Sequence, residues 1–133
     1  MLTEIDHVAI AVGNIEEAVA FYRRVFAAEV VHRERIEADQ VEEALIRVAD
    51  SYIQLIAATS PESTVARFLA KHGEGLHHVG YRVQDAGAAV KSLKAEGVKM
   101  IDEVPRPGSR GTTVAFVHPG GALGTLIELV EEP

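Results

Sequence analysis

Two histidines in matching surroundings set the terms for any chemistry this sequence can do. His7-Val8-Ala9-Ile10-Ala11-Val12-Gly13-Asn14 lies over His78-Val79-Gly80-Tyr81-Arg82-Val83-Gln84-Asp85 at a single offset of 71 residues, which also carries Ala18-Val19 onto Ala89-Val90. Both segments alternate, so each reads as a strand with one buried face, and His7 and His78 fall on the opposite face beside small neighbours that leave room for a ligand. The same parity in the last strand-like stretch of each half places Gln54 with Tyr52 and Ile56, and Glu128 with Leu126 and Val130, on the histidine side. If the first and last strands of each half pair near the sheet centre, a pseudo-twofold brings His7, Gln54, His78 and Glu128 toward one point. Two imidazoles, an amide oxygen and a carboxylate make a borderline-hard N/O set for a divalent first-row ion with open positions. Zinc, cobalt, manganese, nickel and iron all satisfy it. Any one of these residues alone is more often a satisfied polar group of a strand; four at related positions favour a metal site. His77 has the opposite parity and reads as a supporting or structural residue.

The elements that must hold these residues follow from local pattern. After each first strand, Asn14 and Asp85 read as helix N-caps, with Glu17 completing a capping box at the first. Ile15, Ala18, Val19, Tyr22, Val25 and Phe26 then recur at helical spacing, as do Ala86, Ala89, Val90 and Leu93 before Gly97. Strand-like stretches follow at Glu29–Ile36, Glu43–Val48 and Tyr52–Ala57, and again at Val98–Glu103, Thr112–His118 and Thr125–Glu131. The expected fold is therefore α+β, two β-α-β-β-β modules forming a curved mixed sheet with a metal cleft. Residues 1–133 are expected to be one domain, with module one at about 3–58, a linker helix at about 61–72 opened by Ser60-Pro61-Glu62 and ended by Gly73, and module two at about 75–131.

Composition narrows the chemistry. The 133 residues, 47% hydrophobic and 25% charged, have ordinary globular make-up, and none is cysteine, which removes disulfides, thiolate ligands and a cysteine nucleophile together. A formal charge of −7 argues against nucleic acid or an anionic membrane surface as the main partner. No apolar run approaches the roughly 18 residues of a membrane span, and Met1–His7 carries no basic leader, so a cytoplasmic protein is expected.

The two modules with ligands on their first and last strands resemble the vicinal oxygen chelate (glyoxalase/bleomycin resistance/dioxygenase) superfamily. Within it, Ile5–Val12, Phe68–His78 with its Gly-Glu-Gly-Leu-His-His, Pro105–Gly111 and Val114–Pro119 are similar to the methylmalonyl-CoA epimerase family, nearly end to end. That resemblance implies an isomerase interconverting (2R)- and (2S)-methylmalonyl-CoA through a metal-stabilised enolate. It implies His7, Gln54, His78 and Glu128 as metal ligands, and one divalent ion, cobalt ahead of zinc, manganese or nickel. It also implies Glu37, 17 residues before Gln54, as a catalytic base, Glu128 as the opposing acid/base, an acyl-CoA thioester substrate and a homodimer. Glu37 lies in an acidic run with Glu34, Asp39, Glu42 and Glu43 that otherwise reads as a solvated edge strand and turn; Glu34 is the next candidate. Two departures from the family pattern stand out. Gln54-Leu55-Ile56-Ala57-Ala58 replaces a Glu-Leu-Leu-Glu-Pro strand, and Gly120-Gly121 replaces a basic residue after His118-Pro119. Arg106, Arg110, Lys94 and Lys99 are the cations available to hold CoA phosphates. A glyoxalase I-like lactoylglutathione lyase, an extradiol dioxygenase and a metal-free drug-binding module are rival readings on the same fold.

Overall fold

The computed structural model describes all residues from Met1 to Pro133. Its element order gives two successive β-α-β-β-β modules. The first is β1 (Leu2–Ala11), α1 (Ile15–Phe26), β2 (Val30–Ile36), β3 (Val41–Val48) and β4 (Ser51–Ala58). A helix, α2 (Thr64–His72), then leads to β5 (Gly75–Val83), α3 (Ala86–Ala95), β6 (Arg106–Pro107), β7 (Thr113–Val117) and β8 (Ile127–Glu131). None of the helices is long and apolar enough to cross a membrane.

By internal contacts the chain forms two units, Val8–His77 and Met1–His7 with His78–Pro133. In the Val8–His77 unit the strand order is β2-β3-β4-β1. Asn14 caps α1 as its sequence predicts, its side-chain oxygen accepting from the Glu17 amide at 3.0 Å. The apolar stripe of α1 seats Ile15 and Val19, with Ala18 and Tyr22 beside them, on Val12, Ala44, Ile46, Leu55 and Ala57. Leu55 is fully buried there, which contributes about 2 kcal/mol of transfer free energy. The stripe stops short of its sequence pattern: Val25 and Phe26 are exposed, as is Phe21, because the sheet residues that receive α1 end at its middle turns. On the other face of these strands Ala9, Ala11, Val41 and Ile56 pack on Val65 of α2, with Phe68 and Leu69 nearby. The small residues next to His7 in sequence therefore receive a helix rather than a ligand. Ser63, not Ser60, is the N-cap of α2, accepting from Val65 N at 3.1 Å. Ser60 instead binds Glu62 in the preceding turn, so the helix begins three residues after the Pro61 signal.

In the other unit the order is β1-β5-β8-β7-β6. Asp85 caps α3 through the Ala88 amide at 2.9 Å, and Ala86, Ala89 and Val90 pack on Val83, Met100, Ala115, Val117 and Leu129. The sheet is mixed: β5 and β8 run parallel with Gly80 opposite Glu128, while β7 and β8 run antiparallel with Phe116 opposite Glu128. The strand expected over Val98–Glu103 does not form. Met100 makes a single bridge to Val117, and the Asp102 carboxylate then accepts from the Phe116 amide at 2.8 Å. A side chain thus takes the ladder position that backbone would have filled. Pairing resumes at Arg106–Pro107, in the Pro/Gly-rich segment between the two expected strands.

Candidate metal centre

β1, β5 and β8 bring three donor atoms together. His7 Nε2 lies 2.9 Å from Glu128 Oε1, His78 Nε2 lies 3.2 Å from the same oxygen, and the two imidazole nitrogens are 3.0 Å apart. All three residues are buried. The rings meet edge to face with centroids 5.1 Å apart, and Phe116 closes on the far side of His78 at 5.2 Å. Space for the His7 ring comes from Gly80: a Cβ there would sit 2.3 Å from His7 Cε1. Donors at right angles around an ion with bonds of about 2.1 Å are separated by about 3.0 Å, so this triangle has the edge lengths of a metal-binding face.

Electrostatics points the same way. Burial alone would depress His7, but hydrogen bonds to the Asp6 and Glu128 carboxylates outweigh it and raise His7 to about 9. His78, as deeply buried and with fewer anionic partners, is lowered. Burial would raise Glu128, yet its bonds to His7 and His78 hold it well below the usual carboxylate range. The cluster thus retains a positive charge at neutral pH, as a proton on His7. A divalent cation held by His7, His78 and Glu128 would take the place of that proton and answer the same carboxylates.

Asp6 is the residue that the strand pattern hid. It shares the parity of Val8 and Ile10 and is fully buried. Its Oδ2 binds His7 Nδ1 at 2.6 Å and Arg110 Nη2 at 2.9 Å, and its Oδ1 binds Arg82 Nε at 2.8 Å. This fixes the tautomer that leaves His7 Nε2 for the ion. Burial opposes ionisation of Asp6, but His7 and Arg82 overcome it and its pKa is lowered. Arg110 is thereby committed to Asp6. Arg106 pairs with Asp102 at 3.2 Å over the Phe116 ring, and Lys94 pairs with Glu103 at 2.8 Å, so these cations brace the Pro105–Gly111 region and α3 locally.

In the Val8–His77 unit, Gln54 is buried on β4. Its Nε2 donates to Glu43 Oε1 at 2.8 Å, while its Oε1 is buried without a hydrogen-bond partner. An orphaned buried acceptor ordinarily costs about 1–3 kcal/mol, and a cation is one way to satisfy it, so the amide oxygen fits a ligand role. His32, Glu34 and Glu43 form a second group, with donor atoms within 4.8 Å of one another. Glu37 sits on the 3-10 turn after β2, 78% exposed, with Arg35 Nε 3.3 Å from its carboxylate. His77 packs its ring on Phe68, in keeping with a structural part.

These features define a class. The chain belongs to the Glyoxalase/Bleomycin resistance protein/Dioxygenase superfamily, whose family model matches residues 6–116, and it has that superfamily's α+β fold of β-α-β-β-β modules. Among its relatives is the ethylmalonyl-CoA/methylmalonyl-CoA epimerase of Cereibacter sphaeroides, 35% identical over 131 residues that cover 97% of this chain and 98% of that protein. Among solved structures, a variant of the Streptomyces coelicolor methylmalonyl-CoA epimerase in complex with 2-nitronate-propionyl-CoA matches with a TM-score of 0.96 and 37% identity, covering 99% of this chain and 96% of that one. A methylmalonyl-CoA epimerase in complex with methylmalonyl-CoA and ammonium matches with a TM-score of 0.96 and 38% identity at the same coverage.

Proposed function

We propose that this chain is a metal-dependent epimerase interconverting (2R)- and (2S)-methylmalonyl-CoA, with one divalent ion as cofactor, cobalt ahead of zinc, manganese and nickel. The observation that carries the reading is the buried triangle of His7, His78 and Glu128, in a chain that resembles methylmalonyl-CoA epimerases over its length. Gln54 takes the fourth donor position on the strength of its orphaned amide oxygen. The reading further takes the enzyme as a cytoplasmic homodimer.

The reaction removes a proton from a carbon between a carboxylate and a thioester and returns one to the opposite face. A bound divalent ion supplies Lewis acidity toward the two substrate oxygens. The residues of the chain do the rest. Asp6 orients His7, and His78 offers a neutral imidazole. Because position 54 is a neutral amide, the donor set carries one negative charge against the ion's two and favours an anionic, two-oxygen substrate. Proton transfer falls to Glu37, on the exposed turn after β2, and to Glu128: one takes the α-proton as a carboxylate, and the other, in its protonated form, returns a proton to the opposite face.

The test is isotope exchange in deuterated buffer with each epimer and the cobalt-loaded protein. Glu37→Gln should abolish α-deuteration of at least one epimer while cobalt binding persists. Unchanged exchange of both epimers removes Glu37 from the mechanism, and turnover of the methylglyoxal–glutathione hemithioacetal in place of methylmalonyl-CoA overturns the substrate assignment.

A further inference from the structure

Glu43 lies outside the proposed ligand set, yet it is among the most deeply buried carboxylates of the chain at 2% exposure. Its place is set by strand register. On β3 and β4, Leu45 stands opposite Gln54 and Glu43 opposite Ile56, so Glu43 and Gln54 are diagonal neighbours on one face, within reach of each other's side chains. On the other side of β3, Glu34 stands opposite Glu43 and His32 opposite Leu45, and His32 Nε2 is 2.8 Å from Glu34 Oε1. The row ends in a single contact to the amide, Gln54 Nε2 to Glu43 Oε1 at 2.8 Å.

We infer that Glu43 is a positioning residue that fixes the Gln54 amide as an oxygen donor, and that it is the reason residue 54 is an amide rather than a carboxylate. The inference deepens the metal reading above and rests on it. A glutamine amide is nearly symmetric in shape, so packing alone leaves its oxygen and nitrogen interchangeable. A carboxylate breaks that symmetry. Only the NH2 end can donate to Glu43, so the oxygen must point away, and it is this oxygen that is buried without a hydrogen-bond partner. A glutamate at position 54 would instead set two acceptor-only carboxylates within hydrogen-bonding distance, and one would have to take up a proton or turn aside. Glu43 thus limits the donor set to one negative charge, which in turn favours an anionic substrate.

The decisive experiment is a partner swap in the full chain, comparing Glu43→Gln, Gln54→Glu and the double variant with the native protein. Cobalt affinity is measured by chelator competition, the ligand field by visible absorption, and folding by melting of the metal-free protein. Glu43→Gln should lower cobalt affinity about 10- to 100-fold, the range of lost supporting contacts to metal ligands. Gln54→Glu should also bind more weakly. The double variant should recover most of the affinity, because the amide now at position 43 donates to the carboxylate now at position 54; a rescue of this kind separates positioning from simple damage to the fold. In native protein the Gln54 side-chain amide protons should also be protected from exchange, and Glu43→Ala, which removes the acceptor altogether, should expose them, a readout that needs no metal. Unchanged cobalt affinity and spectrum in Glu43→Gln, or a double variant no better than the weaker single, overturns the inference. A native protein that binds no cobalt overturns the metal reading itself, and the amide-exchange result then still decides whether Glu43 holds the amide.

Discussion

The last strands of the two modules carry chemically complementary residues in opposite surroundings. On β8, Glu128 is a carboxylate wrapped by two imidazoles, 2.9 and 3.2 Å away. On β4, Gln54 is an amide held by a carboxylate, 2.8 Å away. Each local environment suits the residue it contains: cationic or donor groups around the acid, an acid beside the amide's donor end. Duplicated architecture has therefore not duplicated the charge. One module places a carboxylate at this position and the other an amide, and the difference lies in the neighbours: the His7 and His78 imidazoles beside Glu128 and the Glu43 carboxylate beside Gln54.

The largest effect should come from reversing the acid side. Glu128→Gln leaves His7 with Asp6 alone and removes the charge shared with His78. Cobalt affinity should fall by more than 100-fold in a competition assay, and the metal-free protein should lose about 3 kcal/mol in urea unfolding, as expected when a buried ion pair is broken. Near-native affinity would mean that Glu128 is not the charged ligand.

A smaller, more local effect is expected from Gly80→Ala. The new methyl group would sit 2.3 Å from His7 Cε1, so the ring must move. Cobalt affinity should drop about 10-fold and the melting temperature of the metal-free protein should fall with it, since the buried ring must shift against its bonds to Asp6 and Glu128. A variant that binds cobalt normally would show that the ring position seen here is not the ligating one.

A third effect is in pH dependence, and its sign follows from His7. Its pKa is raised to about 9 from an unfolded value of 6.5, so its contribution to the stability of the metal-free protein is complete below 6.5 and is lost as pH rises through 9. Melting temperatures of metal-free protein should fall from about pH 7 to about pH 10, and cobalt-loaded protein should lack that component. Near neutral pH, cobalt binding should release about one proton, measurable by calorimetry in buffers of different ionisation enthalpy. A melting temperature that rises across this range would reverse the assignment of the proton.

The sequence pattern reached the residues of the buried triangle because they obey the simplest rule it contains, side-chain alternation within a repeat. His7, His78 and Glu128 could be placed on one face by parity alone. Asp6 could not: it has the parity of the apolar face, and only the arrival of Arg82 and Arg110 from distant segments makes its burial tolerable. Glu43 was hidden for another reason. It belongs to a run of acids that looks solvated, and its burial depends on the register of β3 with both neighbours, which no local pattern states. The missing strand at Val98–Glu103 shows the same limit, since the Asp102 carboxylate displaces backbone pairing that the alternation of Val98 and Met100 would otherwise support. Conversely, the α1 stripe promises more burial than it delivers, because Val25 and Phe26 keep the helical spacing beyond the sheet residues that receive it.

The central claim is that the His7, His78 and Glu128 centre holds a metal that this chain needs for proton exchange at the α-carbon of methylmalonyl-CoA. It is tested most directly by proton NMR of (2R)- or (2S)-methylmalonyl-CoA in deuterated buffer, comparing chelator-stripped protein with the same protein after one equivalent of cobalt. The account predicts α-deuteration and appearance of the other epimer only after cobalt is added. Equal rates with and without metal, or no exchange in either sample, would contradict it.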